Sequence, residues 1–250
     1  MDVKRLSKFR KAQMPISPLK DSLYRSRTIR WATQAMLLRG TPDCVFIWIP
    51  KTAGTSLYHW LHDNIGMRKM NVPRDYSTFP GHGAATFGHV HYLSLLYQGF
   101  VPQSFHDRAY RFAMVRNPYS RIASLYNYLR IDQGYAGEFP AFVEDVRLNR
   151  PPVGLYNHRG LSQTNPQVDW LMGWNGAFLA DNIFKVEEMD TAIACLAQQF
   201  HIATPPPVES RNVSKKFVSV EDFDHETIEK VNEIYARDFA LLEYDRITDT

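Results

Sequence analysis

The feature that most constrains the fold is a run of six apolar residues, 44–49, rich in β-branched and aromatic side chains. A strand with this composition has to be buried on both faces, as in the middle of a parallel sheet. Pro50 ends the strand, and small residues follow it. A helix is predicted from there to about Asn64, with Thr55 or Ser56 as its cap.

The same order of strand, loop and helix occurs again along the chain. Residues 110–115 form a second apolar strand, and Pro118 stands where it can open a helix over 119–130. Further strands are predicted near residues 86–87 and over 181–186, and further helices over 22–39, 139–148, 190–200 and after Ser219. This order predicts an α/β, three-layer P-loop-like fold with a central, mainly parallel sheet flanked by helices. Ligands of such sheets bind beyond the carboxyl ends of the strands.

The composition suits one globular domain. The chain has 250 residues, of which 44% are hydrophobic and 22% charged, and one α/β domain of this length is more plausible than two. We predict a helical, basic N-terminal arm over residues 1–40 and a single domain over residues 41–250. The net charge of +3 is mild, and no nucleic acid is expected as a partner.

The densest group of cations lies in the N-terminal arm. It comprises Lys4, Arg5, Lys8, Arg10, Lys11, Lys20, Arg25, Arg27 and Arg30. We interpret the arm as solvated, with contact to an anionic surface or polymer as the alternative. No run reaches the ~20 apolar residues that span a bilayer, and a signal-peptide pattern is lacking. We therefore expect no transmembrane segment and a cytoplasmic location, with peripheral membrane attachment left open. Cys44 and Cys195 are expected to be buried free thiols.

The loop after the first strand has the composition of a phosphate cradle. Its residues are Lys51, Thr52, Ala53, Gly54, Thr55 and Ser56. Small residues let backbone N–H groups converge on an anion, and the helix N-terminus adds its positive dipole end. The lysine adds a charge and the hydroxyls add donors. In the usual NTP-binding loop the lysine follows the second glycine, whereas here it precedes Gly54. The alternative is an ordinary tight turn.

A second candidate anion site follows the second strand. Arg116 stands at the end of that strand, where its planar guanidinium can hold a phosphate through two hydrogen bonds. Ser124 lies in the early turns of the next helix and can direct its hydroxyl at the same group. The alternatives are an arginine paired with a local carboxylate and a surface serine. One ligand with phosphates at both ends would explain both loops.

These segments resemble those of a known family. Residues 49–56 resemble the 5′-phosphosulfate loop of sulfotransferases that use 3′-phosphoadenosine 5′-phosphosulfate (PAPS), in the form seen in carbohydrate sulfotransferases and their bacterial relatives. Residues 115–124 resemble the family's 3′-phosphate segment, in which the residues matching Arg116 and Ser124 hold that phosphate. The resemblance implies a sulfotransferase domain, PAPS as donor and a glycan or small hydroxylated acceptor. It implies no metal.

A third segment, residues 87–93, is similar to heparan and dermatan uronosyl 2-O-sulfotransferases. The resemblance makes His89 the catalytic base, with Lys51 neutralising the leaving oxygen, and it leaves His91 as the competitor. Residues 235–245 resemble the family's closing helix. Related enzymes close a basic C-terminal loop over the nucleotide, and here that loop would contain Arg211, Asn212, Ser214, Lys215 and Lys216. A solvated charge run is the equal alternative.

The acceptor pocket is the least determined part of the prediction. From residue type alone, candidates to line it are Gln163, Asn165, Gln167, Asp169 and Trp170, because sugars favour aromatic platforms with polar rims. Two other functions remain open. The first is a nucleotide-dependent kinase, against which stand the position of the lysine and the absence of a clear Mg²⁺ motif in the sequence. A non-catalytic nucleotide- or glycan-binding module would keep the cations without a working base.

Overall fold

The computed structural model of this chain describes residues 26–150, 157–158, 161–203, 206–208 and 217–248. Within them, five strands form one parallel sheet in the order β2-β3-β1-β4-β7. The strands are β1 (Cys44–Ile47), β2 (Arg68–Lys69), β3 (Ala84–Thr86), β4 (Tyr110–Val115) and β7 (Asn182–Lys185). Two short strands, β5 (Asn157–His158) and β6 (Leu161–Ser162), form a separate antiparallel pair.

The helices occupy the connections between these strands. In chain order they are α1 (Arg27–Leu37), α2 (Gly54–Ile65), α3 (Pro73–Tyr76), α4 (Tyr92–Tyr97), α5 (Gln103–Arg108), α6 (Pro118–Asp132), α7 (Phe139–Arg147), α8 (Val168–Leu171), α9 (Met189–Gln199), α10 (His225–Ile234) and α11 (Ala236–Leu241). Single 3₁₀ turns occur at Val186–Glu188 and Val220–Asp222. Among the described residues, no helix is long and apolar enough to cross a bilayer.

Strand β1 lies at the centre of the sheet because its residues are buried on both faces. Val45 and Ile47 pack toward one face with side chains of α4, α5 and α8. Cys44 and Phe46 pack toward the other face with α2 and α9. A third apolar cluster joins α6, α7 and α10. Helices thus cover both sides of a parallel sheet, which confirms the predicted three-layer α/β fold.

The ends of strands and helices were predicted best where local side chains determine them. β4 has the predicted bounds, and Asn117 caps α6 by accepting hydrogen bonds from the N–H groups of Tyr119 and Ser120. The predicted cap of α2 was wrong, because its N-cap is Ala53 in the left-handed region and no side chain caps it. The chain enters α2 through a left-handed backbone turn at Ala53, and the hydroxyls of Thr55 and Ser56 do not cap the helix.

Two other expectations concern the N-terminus and the cysteines. α1 lies inside the predicted helix 22–39, but the cations from Lys4 to Arg25 lie outside the described residues. Both cysteines are free thiols, as expected. Cys44 is buried, whereas Cys195 is exposed, so the expectation of burial was wrong for Cys195. It lies on the solvent side of α9, whose neighbouring Leu196 faces the core.

The β1–α2 connection is closely packed at Gly54, which generates the first prediction. A Cβ added at Gly54 would lie 1.8 Å from Nε1 of Trp48, and the residue does not need a left-handed backbone. Gly54→Ala should therefore lower the free energy of unfolding by about 1–3 kcal/mol through overpacking. Urea unfolding of the two proteins measures this difference.

The control for Gly54→Ala is the same change in a Trp48→Leu background. Without the indole, alanine at position 54 should cost much less, because the obstructing ring is gone and alanine favours helix over glycine. An equal loss of stability in both backgrounds would contradict the steric explanation.

Candidate active site

The two predicted anion loops meet at one edge of the sheet. The first follows β1 and the second follows β4, and these strands are hydrogen-bonded neighbours that run parallel. Their carboxyl ends therefore lie side by side, and the residues beyond them share one site. Lys51 and Arg116 are close enough for the charge of Arg116 to lower the pKa of Lys51. The prediction that both loops serve one ligand is consistent with this arrangement.

The loop before α2 has the backbone of an anion nest. Lys51 has a φ of 67° and Ala53 a φ of 55°, while Thr52 between them lacks a positive φ. Left-handed residues that alternate with ordinary ones turn successive N–H groups toward one concavity. The hydroxyl of Thr52 is fully buried and donates to the carbonyl oxygen of Ile49 at 2.9 Å. This hydroxyl holds the loop together in the unliganded protein, and a contact of Thr52 with a ligand stays a prediction.

Lys51 is a partly buried cation beside an aromatic ring. Its Nζ lies 4.5 Å from the ring centroid of Tyr128. Burial lowers the pKa of Lys51 to about 8; Asp132 opposes this shift and Arg116 adds to it. No carboxylate within salt-bridge distance of Lys51 occurs among the described residues.

Arg116 is a second cation that has no acidic partner among the described residues. Burial lowers the pKa of its guanidinium, and the more distant Glu187 and Tyr244 oppose the shift. In the part of the chain that the structure describes, the guanidinium has no hydrogen bond or ion pair. The Glu187 carboxylate instead accepts from the N–H of Asn117 and the hydroxyl of Tyr244. The alternative in which Arg116 pairs with a local carboxylate is therefore not what the structure shows.

Ser124 and Thr55 complete the polar side chains expected around these cations. Both are partly exposed, and across the described ranges neither hydroxyl has a hydrogen-bond partner. Ser124 lies on α6, whose first turn follows Arg116 directly. Ser56 is largely buried on α2. The loop of Asn212, Ser214 and Lys215, together with Arg211 and Lys216, lies outside the described residues.

His89 lies against the same loop through its contacts with Trp48. Its Nδ1–H donates to the carbonyl oxygen of Trp48 at 3.0 Å, and its ring meets the Trp48 ring edge-on at 5.1 Å. The tautomer with hydrogen on Nδ1 leaves the lone pair on Nε2. The pKa of His89 is lowered to about 4, chiefly by burial and in part by the charges of Lys69, Lys51 and Arg121, while the hydrogen bond to Trp48 opposes the shift. The imidazole is therefore neutral at pH 7.

His91, the competing base, belongs to a different cluster. Its Nδ1 lies 2.9 Å from Oγ of Ser94, and its ring meets the edge of Trp170 at 6.5 Å. Neither contact involves the β1 or β4 loops. The geometry therefore places His89, and not His91, beside the loop that carries Lys51.

The residues suggested for an acceptor pocket are mostly buried in the fold or paired with other side chains. Gln163, Gln167 and Trp170 are all at least 97% buried, because they pack between the sheet edge and the C-terminal helices. Asn165 donates from its side chain to Asp169, and Asp169 pairs with Arg237. The suggestion that these side chains line an acceptor site was wrong for the three buried ones.

Two important residues were missed by sequence analysis. Arg121 is 1% exposed, and its guanidinium donates to the carbonyl oxygens of Pro50, Gln163 and Asn165. Its place between apolar residues of α6 was the available signal. Trp48, which packs on His89 and over Gly54, was counted only as a strand residue. Within the described ranges, no group of acidic, histidine or cysteine residues has the arrangement of a metal site.

The fold and site define an α/β protein with two candidate anion-binding loops at the carboxyl edge of a parallel sheet. Residues 35–150, which contain both loops and His89, match the sequence model of the sulfotransferase family. The fold is similar to the crystal structure of a sulfotransferase from Alicyclobacillus acidocaldarius, with a TM-score of 0.51, 14% sequence identity, and coverage of 82% of this chain and 97% of that one. No curated protein sequence matches significantly. The family match covers less than half of the chain, and it makes the segment that contains both loops similar to sulfotransferases.

The unpaired charge of Lys51 yields a stability prediction. Lys51→Met should raise the free energy of unfolding of the unliganded protein by about 1 kcal/mol, because it removes a partly buried cation that Arg116 repels. Wild-type stability should also rise with pH between about 8 and 10.5, the folded and ordinary pKa values, since the unfolded chain binds more protons there. The variant should lack this rise. Urea unfolding across that pH range measures both effects.

Lys69→Met is the matched control for this prediction. Lys69 also lies over an aromatic ring, 4.8 Å from the centroid of Trp48, but it is exposed. Its replacement should leave stability unchanged or slightly lower. Destabilisation by Lys51→Met would mean that this lysine has a partner that stabilises the fold.

Proposed function

We propose that this protein is a sulfotransferase that moves the sulfuryl group of PAPS to a hydroxyl of a carbohydrate or other alcohol. The observation that carries the proposal is the pair of partly buried cations, Lys51 and Arg116, which lack acidic partners in the described residues and lie at neighbouring strand ends. Unpaired buried charge is unfavourable unless a ligand compensates it. A donor with an anionic group at each end would compensate the charges of both Lys51 and Arg116.

The donor would be held at both ends. The backbone N–H groups of residues 52–56, with the N-terminus of α2, bind the 5′-phosphosulfate, and Lys51 adds its charge. Arg116 and Ser124 bind the 3′-phosphate. The resemblance adds Asn212, Ser214 and Lys215 as further nucleotide-binding residues. This assignment agrees with the resemblance of both loops to PAPS-binding segments.

His89 would act as the general base in an in-line displacement. Its Nε2 takes the proton of the acceptor hydroxyl as the acceptor oxygen bonds to sulfur. The bond from sulfur to the bridging oxygen breaks at the same time, and Lys51 neutralises the charge that develops on that oxygen. The products are a sulfate ester and adenosine 3′,5′-bisphosphate. The carbohydrate acceptor rests on the similarity of residues 87–93 to uronosyl 2-O-sulfotransferases.

Calorimetric binding of adenosine 3′,5′-bisphosphate tests the donor assignment. We expect a dissociation constant on the order of micromolar, with much weaker binding of adenosine 5′-phosphate. Arg116→Ala should weaken bisphosphate binding by about 10–100-fold, because a charge-assisted phosphate contact is lost. The affinity for adenosine 5′-phosphate should change little.

Arg150→Ala serves as the control, since Arg150 is exposed and pairs with Asp145 at 3.3 Å. Its nucleotide affinities should equal those of the wild type. Binding of ATP with Mg²⁺ as tight as that of the bisphosphate would favour a kinase instead. Bisphosphate binding without sulfation of any glycan by labelled PAPS would favour a non-catalytic nucleotide-binding module.

Replacement of the base gives a separate prediction. His89→Ala should lower kcat by about 10²–10⁴-fold and keep bisphosphate affinity, since a base acts on the acceptor proton. Burial lowers the pKa of His89 to about 4, so wild-type activity should persist below about pH 6, where an ordinary histidine becomes protonated. Steady-state sulfation rates across pH measure both.

His91→Ala is the matched control for the base. It removes a neighbouring imidazole that contacts Ser94 and Trp170, and kcat should stay within a few-fold of wild type, the usual size of an indirect effect. If His89→Ala kept most of its activity while His91→Ala lost it, the base would be His91.

A further inference from the structure

We infer that Gln167 is a positioning residue for the donor's 3′-phosphate and that it acts through the backbone of Arg116; the inference rests on the proposed function. The Gln167 side chain is fully buried beside the end of β4. Its Oε1 accepts from the N–H of Arg116 at 2.8 Å, and its Nε2 donates to the carbonyl oxygen of Arg116 at 2.8 Å. One side-chain amide thus satisfies both backbone polar groups of Arg116.

This amide takes the place of a neighbouring strand. The ladder between β4 and β7 ends at the pair Val115 and Lys185, so Arg116 lies one residue past the sheet. Buried backbone groups without partners are unfavourable, and a residue just beyond a strand would otherwise be free to turn. Gln167 extends the ordered backbone of β4 by one residue, the residue that carries the cation.

Gln167 is itself fixed by Asp238 of α11. The fully buried carboxylate of Asp238 accepts from the backbone N–H of Gln167 at 2.8 Å, from its Nε2 at 3.2 Å and from the N–H of Val168 at 3.0 Å. The two hydrogens on Nε2 therefore serve Arg116 and Asp238. A flipped amide would place its oxygen against a carbonyl and a carboxylate, so only one orientation is stable.

The fixed backbone affects donor binding through the conformational entropy of the Arg116 side chain. An arginine side chain loses rotamer freedom when it grips a phosphate through two hydrogen bonds. When the backbone of Arg116 is already fixed, fewer conformations of this residue are lost on phosphate binding, and the entropy cost of binding is smaller. Gln167 touches no substrate in this scheme and affects only how well Arg116 selects for the 3′-phosphate.

The test compares the affinities for two nucleotides by calorimetry. The selectivity is the dissociation constant of adenosine 5′-phosphate divided by that of adenosine 3′,5′-bisphosphate. Gln167→Met keeps the length of the side chain and removes its donor and acceptor. We expect it to lower the selectivity by about tenfold, the value of one to two lost hydrogen bonds, with the affinity for adenosine 5′-phosphate unchanged.

Tyr235→Phe is the matched control in the same buried polar cluster. It removes the hydrogen bond from the Tyr235 hydroxyl to the carbonyl oxygen of Thr164, at 3.0 Å, without touching Arg116. It should lower stability and leave the selectivity unchanged. An equal loss of selectivity in both variants would show a general structural role and overturn the inference.

The inference and the proposed function fail in different ways. Wild-type protein without selectivity for the 3′-phosphate would refute the proposed function. Selectivity that disappears in Arg116→Ala but persists in Gln167→Met would refute only the positioning role. If Gln167→Met does not fold, a crystal structure of the wild type with adenosine 3′,5′-bisphosphate decides. Arg116 must then contact the 3′-phosphate with both hydrogen bonds to Gln167 intact, and their absence would overturn the inference.

Discussion

The site depends on two positive charges that are held near each other and partly out of water. Lys51 and Arg116 have lowered pKa values because burial disfavours their charged forms, and the arginine also repels the lysine. Each could have been paired with a carboxylate, as Arg111 is with Asp181 and Arg108 with Asp43. The rest of the fold has to supply the free energy that keeps this arrangement, and it does so through the apolar packing on both faces of β1.

Buried hydrogen bonds fix the two loops relative to each other. Arg121 donates to the carbonyl oxygen of Pro50, next to Lys51, and to two carbonyl oxygens of the segment after β6. Gln167 of the same segment holds Arg116. Asp238 and Tyr235 attach that segment to the C-terminal helices. The C-terminal helices therefore anchor the segment that contacts both loops, although they lie more than a hundred positions after Arg116.

The sequence was sufficient for the parts of the fold that local patterns determine. The apolar runs of β1 and β4, and Pro118 as the first residue of α6, each act within a few residues, and the loops after these strands were predicted to be anion sites on the same basis. The interactions of Gln167 and Trp170 could not be predicted in this way. Their residue types suit a sugar-binding surface equally well, and only long-range packing against α11 and the sheet edge buries them. The left-handed entry into α2 was missed because Lys51 and Ala53 are not residues that favour it.

Burial leaves Lys51 and His89 in different protonation states at neutral pH, and the two states suit one reaction. It lowers the pKa of His89 to about 4 and that of Lys51 to about 8, so at neutral pH the imidazole is neutral and the lysine is mostly charged. A base and a cation are thus available together in a pH range several units wide. A bound anion would stabilise nearby positive charge and raise both pKa values. In the proposed mechanism, donor binding would then secure the charge on Lys51 and strengthen His89 as a base, so that the acceptor is activated most when the sulfuryl group is in place for transfer.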